Sequence, residues 1–288
     1  MIITILQSIV LGIIQGATEF IPVSSSAHLV IVPWLFGWND AVLTSLSFDV
    51  SLHIGTLLAV LIYFAKDWWR LLKAGVMSII ERKIGDDPDR RMAWLIVIGT
   101  IPGGLVGMLA EDFIDGLFHQ SGSQIHTTAM VVMAVIIALW GLVLWLADEH
   151  GSRTEGLSGL TFKNAILIGL AQALAVFPGI SRSGSTIAAG LFLGFKREAA
   201  ARFSFYLSAP IIIGAGLKSV YEILKLQSSG MITSNEMLLF PAGMLAAAVS
   251  GFICIHWLLS YLQKNSVKPF VYYRWALALL VFVLAVFR

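Results

Sequence analysis

Two of the chain's ten apolar stretches are too short to cross a membrane, and each follows a break rich in proline and serine. The stretches run over roughly 1–20, 24–37, 46–65, 92–110 and 126–147 in the first half. In the second half they run over roughly 161–177, 183–195, 203–224, 237–262 and 270–287. A transmembrane helix needs about 20 mostly apolar residues, and a stretch of 10–14 reads as a re-entrant segment. The short stretches are 24–37 and 183–195. Ahead of them lie Ile21-Pro22-Val23-Ser24-Ser25-Ser26 and Pro178-Gly179-Ile180-Ser181-Arg182-Ser183. Segments 1–37 and 161–195 are therefore expected to be helix-loop-helix hairpins that enter the bilayer and return, beside six full spans. Non-helical backbone at that depth must be buried in protein or line a wet cavity.

Hydrophobic residues make up 58% of the chain and charged residues 12%, where a globular domain carries about 25% charged. So few charges cannot cover a soluble surface. A soluble enzyme, a disordered chain and a coiled coil are excluded. The single cysteine, Cys254, excludes an intrachain disulfide and a Cys-rich metal site. A net charge of +2 gives no basic field for nucleic acid. The expected class is an all-α integral membrane protein, a polytopic helix bundle forming one membrane domain over 1–288. The N-terminal stretch has no basic n-region and no small-residue cleavage site, so it is expected to stay in the mature protein. The Trp residues, such as Trp68 and Trp69, fit interfacial belts.

Lys and Arg set the orientation. Loop 66–91 holds Lys66, Arg70, Lys73, Arg82, Lys83, Arg90 and Arg91 and is expected inside. Loops 111–125 and 226–236 have neither residue and are expected outside. Arg153, Lys163, Lys196, Arg197 and Arg202 return inside, as do Lys264, Lys268 and Arg274. Both termini then lie outside.

The halves, approximately 1–150 and 158–288, resemble each other. Gly12-Ile13-Ile14-Gln15 matches Gly169-Leu170-Ala171-Gln172 at an offset of 157 (172 − 15). Ser24-Ser25-Ser26 matches Ser181-Arg182-Ser183, and Leu35-Phe36-Gly37 matches Phe192-Leu193-Gly194, in the same register. Three spans per half is an odd number, so the copies are expected to have inverted topology. Broken helices in inverted repeats place their site where the breaks meet. Glu19, Ser25, Ser26 and His28 should face Ser181, Arg182, Ser183 and Thr186.

A charge at mid-membrane costs about 2.5–3.5 kcal/mol, yet both Glu19 and Arg182 are placed there. An ion pair locking the hairpins together would explain those two but not the surrounding hydroxyls. Ser24 and Ser183 can cap the short helices. One serine per helix suffices for that, and each break offers about three hydroxyls. Arg182, the hydroxyls, loop amides freed by Gly179 and Gly184, and a helix N-terminus together make a phosphate site. Glu19, Ser25 and His28 are the parts of an activated nucleophile with acid–base help. His53, in an apolar span, reads as a structural residue.

The run Gln15-Gly-Ala-Thr-Glu19-Phe-Ile-Pro-Val-Ser-Ser-Ser-Ala-His28, with Pro178-Gly-Ile-Ser-Arg-Ser-Gly-Ser-Thr186, resembles the undecaprenyl-diphosphatase family. This is the bacitracin-resistance type of bacterial inner-membrane phosphatase. The resemblance implies hydrolysis of undecaprenyl diphosphate to undecaprenyl phosphate and phosphate, which recycles the lipid carrier for cell-wall synthesis. It implies a divalent cation, Mg²⁺ or Ca²⁺, and a site opening to the periplasmic side. Ser25 would be the nucleophile, with Glu19 and His28 sharing the proton work and Glu19 also holding the cation. Attack by an activated water is the alternative chemistry. Arg182, Ser26, Ser181, Ser183 and Thr186 would bind the phosphoryl oxygens. The family motif opens on Glu or Gln. Gln15 can orient a group or give a carbonyl to a cation, but it cannot be a base. Expected partners are the polyprenyl diphosphate, membrane lipids and a second copy in a homodimer. The rival reading is a non-enzymatic polyprenyl-phosphate transporter, which needs no Ser25–His28–Glu19 cluster.

Overall fold

The computed structural model describes residues 2–118, 127–228, 233 and 236–287. Its long helices are α1 (Ile2–Phe20), α2 (Ser25–Phe36), α3 (Leu46–Tyr63), α4 (Ala65–Ile80), α5 (Pro88–Phe118) and α6 (Thr127–His150). They continue as α7 (Phe162–Ala173), α8 (Arg182–Phe192), α9 (Arg197–Ser228), α10 (Leu239–Leu262) and α11 (Lys268–Phe287). Each of the ten apolar stretches forms a helix, and no strand occurs among the described residues beyond one isolated bridge, Glu155 to Phe195. Of the expected outer loops 111–125 and 226–236, residues 111–118 and 226–228 are helix, the ends of α5 and α9, while 119–125, 229–232 and 234–235 lie outside the described residues.

The loop expected at 66–91 is mostly helix α4. Its apolar residues Trp69, Leu72, Val76, Ile79 and Ile80 are exposed along one stripe, while Leu71 and Ser78 are buried. Lys66, Arg70 and Lys73 interrupt the apolar run, so run length misses an amphipathic helix that periodicity would find.

Among the described residues seven helices are long and apolar enough to cross a membrane: α1, α3, Pro88–Ala110 of α5, α6, Arg197–Lys218 of α9, Glu236–Leu262 and α11. Six of these are the expected spans. The seventh, α1, is the first arm of the first expected hairpin and has 19 residues, where its counterpart α7 has 12.

α1 packs along α10 and α7 along α5, while α3 touches both α9 and α10, and α6 lies against α11. Glycine makes the first two contacts close. A Cβ on Gly12 would collide with the Gly243 carbonyl, and one on Gly169, 157 residues on (169 − 12), with the Gly99 carbonyl. Lipid tails give helices no hydrophobic reason to associate, so close backbone approach at small residues supplies the contact energy.

The breaks repeat in the same register. Ser24 (φ 76°) caps α2 and Ser181 (φ 77°) caps α8, both in a backbone region L-residues avoid. Ser24 Oγ accepts from Ala27 N–H at 3.4 Å, and Ser181 Oγ accepts from Gly184 N–H at 3.0 Å. Such strain costs about 1–3 kcal/mol per residue and persists where the surroundings over-determine it. The surroundings here are the opposite break. Gly179 N–H donates to Ser24 Oγ at 3.1 Å, and Ser183 Oγ donates to the Ile21 carbonyl at 3.2 Å.

Candidate active site

The breaks bring two helix N-termini together. The first N–H groups of α2 and α8 have no intrahelical acceptor and carry the positive end of the helix dipole. Glu19, one residue before the end of α1 and 5% exposed, is the carboxylate beside them. Phe20, fully buried, meets Phe205 of α9 edge-on at 5.1 Å and fixes that end of α1.

Glu19 is the hub of the site. Its Oε2 accepts from Ser25 Oγ at 2.6 Å and from Gln15 Nε2 at 3.0 Å, and its Oε1 accepts from Arg182 Nη2 at 2.7 Å. The pairing joins the halves, because Arg182 opens α8. Arg182 Nη1 also donates to the Ser204 carbonyl of α9 at 2.8 Å. Nη1 also lies 3.5 Å from Ser204 Oγ, and a guanidinium has five N–H groups, so at least two are not used by these contacts. Ser25, only 8% exposed, lies under the same carboxylate. Hydroxyl, adjacent carboxylate and neighbouring arginine are the arrangement of an activated nucleophile with charge stabilisation beside it.

Other expected residues take different posts. His28 Nδ1 lies 2.6 Å from the Ser24 carbonyl, which can only accept, so Nδ1 carries the proton. Its Nε2 then accepts from Tyr273 Oη at 2.7 Å, with the rings stacked 5.7 Å apart. His28 is thus tied to Ser24 and Tyr273. Thr186 Oγ1 is turned to Ser204 Oγ at 2.6 Å and the Arg182 carbonyl at 2.9 Å. It braces the residue that holds Arg182. Ser181 and Ser183 hydroxyls lie 3.2 Å apart, and Ser26 Oγ lies 3.3 Å from Ser24 Oγ.

Three residues at the site were missed or misread from sequence. His53, read as structural, has Nε2 3.4 Å from Glu19 Oε2. A polar stripe at Asp49, His53 and Thr56, one helical face of α3, was the signal. Arg274, counted as an inner-surface charge, is 0% exposed. It donates from Nε to the Ile137 carbonyl (3.1 Å), from Nη1 to Pro22 (3.3 Å) and from Nη2 to Gly179 (2.6 Å). Pro22 and Gly179 are repeat-related (179 − 22 = 157), so one guanidinium grips both breaks. Ser204 is the third, and nothing in its surroundings along the chain singles it out.

Among the described residues no three of His, Cys, Asp and Glu gather as a metal cage. Gln15 Oε1, however, is buried without a hydrogen-bond partner among the described residues, while its amide nitrogen donates to Glu19. One carboxylate, one amide oxygen and substrate phosphates are a donor set that suits Mg²⁺, which keeps several waters; Ca²⁺ asks for six to eight oxygens.

The profile described as "Bacitracin resistance protein BacA" matches residues 8–280. The chain is 46% identical over 281 residues to the undecaprenyl-diphosphatase of Thermomicrobium roseum, covering 98% of each. It is 45% identical over 282 residues to that of Desulforudis audaxviator, again 98% of each. Against that of Caldicellulosiruptor bescii it is 42% identical over 285 residues, 99% of each.

Proposed function

We infer the chemistry of this site from one premise, that the chain belongs to the bacitracin resistance protein BacA family. Its reaction is hydrolysis of undecaprenyl diphosphate to undecaprenyl phosphate and inorganic phosphate, the step that recycles the lipid carrier of bacterial cell-wall synthesis. The observation that carries the mechanism is the 2.6 Å hydrogen bond from Ser25 Oγ to Glu19 Oε2, beside Arg182 and two convergent helix N-termini.

The diphosphate binds across those N-termini, with its negative charge facing free N–H groups and the remaining donors of Arg182. Ser25 Oγ attacks the terminal phosphorus as Glu19 takes its proton. The bond to the bridging oxygen breaks, and its electron pair leaves with the lipid monophosphate. Arg182 compensates charge on the transferring oxygens. Water then attacks the phosphoserine, with Glu19 as base, and Ser25 recovers its proton. Ser26, Ser181 and Ser183 bind phosphoryl oxygens, and Thr186 serves through Ser204. Glu19 and Gln15 are the residues that would hold Mg²⁺, which would supply neutralisation of the diphosphate charge.

The fold is proposed as two inverted-topology repeats with six spans and two re-entrant hairpins. Supporting this are the shared 157-residue register of both caps and the matched pairs α1–α10 and α7–α5. In the bacterial inner membrane, both termini and the mouth of the site would face the periplasm, on the strength of the Lys/Arg alternation. A cysteine at position 80 of a Cys254-free variant should then label only from inside.

Purified protein should release one phosphate per molecule of a soluble C15 diphosphate and leave the monophosphate. A transporter would move lipid and release none, so absence of phosphate release from wild type would overturn the reading.

A further inference from the structure

A second polar cleft lies away from the breaks, where the segment joining the two halves meets α9 and α10. It has a volume of about 270 Å³ and is lined by Arg153, Lys196, Arg197, Glu198, Leu262 and Gln263. None of these belongs to the catalytic cluster. Seven residues of α9 separate Arg197 from Ser204 (204 − 197), about 10 Å along the helix. Pockets for drug-sized ligands run from about 300 Å³ upward, so this volume suits one headgroup or small anion and not a whole lipid.

Its charges are unevenly matched. Arg197 is committed: Nε and Nη2 fork onto the Asp148 carboxylate at 2.6 and 3.1 Å, and Asp148 is buried. That pair fastens the start of α9 to α6, across the halves. Arg153 donates from Nη1 to the Asp148 carbonyl at 2.9 Å, which holds its guanidinium beside Arg197. Among the described residues no carboxylate forms an ion pair with Arg153 or Lys196. Glu198, the one acid in the lining, sits in the first turn of α9, where it complements the helix dipole. Two unmatched cations against one carboxylate leave a single positive charge over. Lys196 stands at the head of α9, and its side chain has no acceptor, so it cannot cap the free N–H groups there. Trp257 and Tyr261, stacked at 5.3 Å, lie within two turns of Gln263 on α10. Such aromatics mark the headgroup level of a bilayer.

We propose that this cleft binds the phosphodiester headgroup of an anionic lipid, held between α9, α10 and the segment that joins the halves. A phosphodiester carries one negative charge, which matches the one positive charge left over. Arg153 offers planar donors to its oxygens, Lys196 a point charge, and the head of α9 its free N–H groups. Leu262 gives the glycerol side an apolar wall. Basic pockets between membrane helices on the inner side take anionic headgroups. By the Lys/Arg alternation this cleft faces inside, within reach of inner-leaflet lipids, whereas the catalytic cluster opens the other way. The same donors would take a soluble phosphate, and the experiment separates the two sources.

The test uses the full chain in micelles of an uncharged detergent. Native mass spectrometry follows bound phosphatidylglycerol, with diacylglycerol of the same chains as the phosphate-free control. Thermal unfolding is followed with each lipid and with glycerol 3-phosphate. Wild type should hold phosphatidylglycerol saturably and unfold at a higher temperature with it, and diacylglycerol should do neither. A basic residue near a headgroup is worth about 5-fold in binding. Lys196→Gln should therefore bind about 5-fold more weakly, and Lys196→Gln combined with Arg153→Gln about 25-fold. Lys196 is exposed and holds no ion pair among the described residues, so its replacement leaves the fold intact. Lys83→Gln removes an exposed charge outside the cleft and should bind as wild type does. Equal weakening by Lys83→Gln and Lys196→Gln would reduce the effect to surface charge and overturn the proposal. So would equal binding of diacylglycerol, or no saturable binding by wild type. Saturable stabilisation by glycerol 3-phosphate alone, lost in Lys196→Gln, would overturn the lipid as occupant and assign the cleft to a soluble phosphate.

Discussion

Replacing Arg274 by lysine isolates the geometry of one guanidinium from its charge. Arg274 is 0% exposed and donates to three main-chain carbonyls, those of Pro22, Ile137 and Gly179. Among the described residues no carboxylate pairs with it. Lysine keeps the buried charge, so the cost of burying it is not relieved. What changes is reach: a single nitrogen cannot span carbonyls on two breaks and α6, and about two of the three lose their donor. Each buried acceptor left unmade costs about 1–3 kcal/mol, so Arg274→Lys should destabilise the fold by about 2–6 kcal/mol. Because two of the carbonyls belong to the breaks that carry Ser25 and Arg182, turnover should also fall, by about 100-fold for a displacement near 1 Å. Equilibrium unfolding in mixed micelles and phosphate release on the same samples measure both. A lysine variant with wild-type stability and turnover would refute the idea that this arginine clamps the breaks.

Arg182→Lys keeps charge but loses the fork that spans Glu19 Oε1 and the Ser204 carbonyl. Turnover should fall about 10-fold or more, and further for Arg182→Ala, by analogy with loss of a transition-state donor; near-normal Arg182→Ala would mean the serine-rich break binds something else. A Cβ at Gly16 would lie 2.5 Å from the Ala247 carbonyl. Gly16→Val should therefore push α1 off α10 at a cost of about 1–3 kcal/mol or more and lower activity, since Gln15 and Glu19 ride on the same turns. Gly104, with nothing within 4 Å of its added Cβ, is the control, and Gly104→Ala should be neutral by the same unfolding assay.

Run length made the membrane helices legible, because a span is a long local signal. The breaks were legible too: proline and serine interrupt apolar runs twice, and one offset relates the interruptions. The sequence alone thus places Glu19, Ser25 and Arg182 together, and the structure joins them through the Glu19 carboxylate. Helix α4 was missed because its lysines and arginines hide an apolar stripe from a run-length scan. His53, Ser204 and Arg274 reach the site from α3, α9 and α11, brought there only by helix packing. A single polar residue in a long span carries no record of which neighbour it meets. Arg274 misled for a further reason: near a helix end, a buried arginine and an interfacial one look alike in sequence. Thr186 fell in the motif, but its hydroxyl is taken by Ser204 and its own helix.

The central claim is that Ser25, activated by Glu19, attacks phosphorus. Substrate affinity and phosphate release should be measured together for wild type and Ser25→Ala. Loss of one neutral hydrogen bond costs about 0.5–1.5 kcal/mol, so Ser25→Ala should bind the diphosphate within about 10-fold of wild type. Turnover should fall far more, because among the described residues no other hydroxyl donates to Glu19. Ser25→Ala retaining more than about a tenth of wild-type turnover would contradict the claim and leave Glu19 to activate water directly.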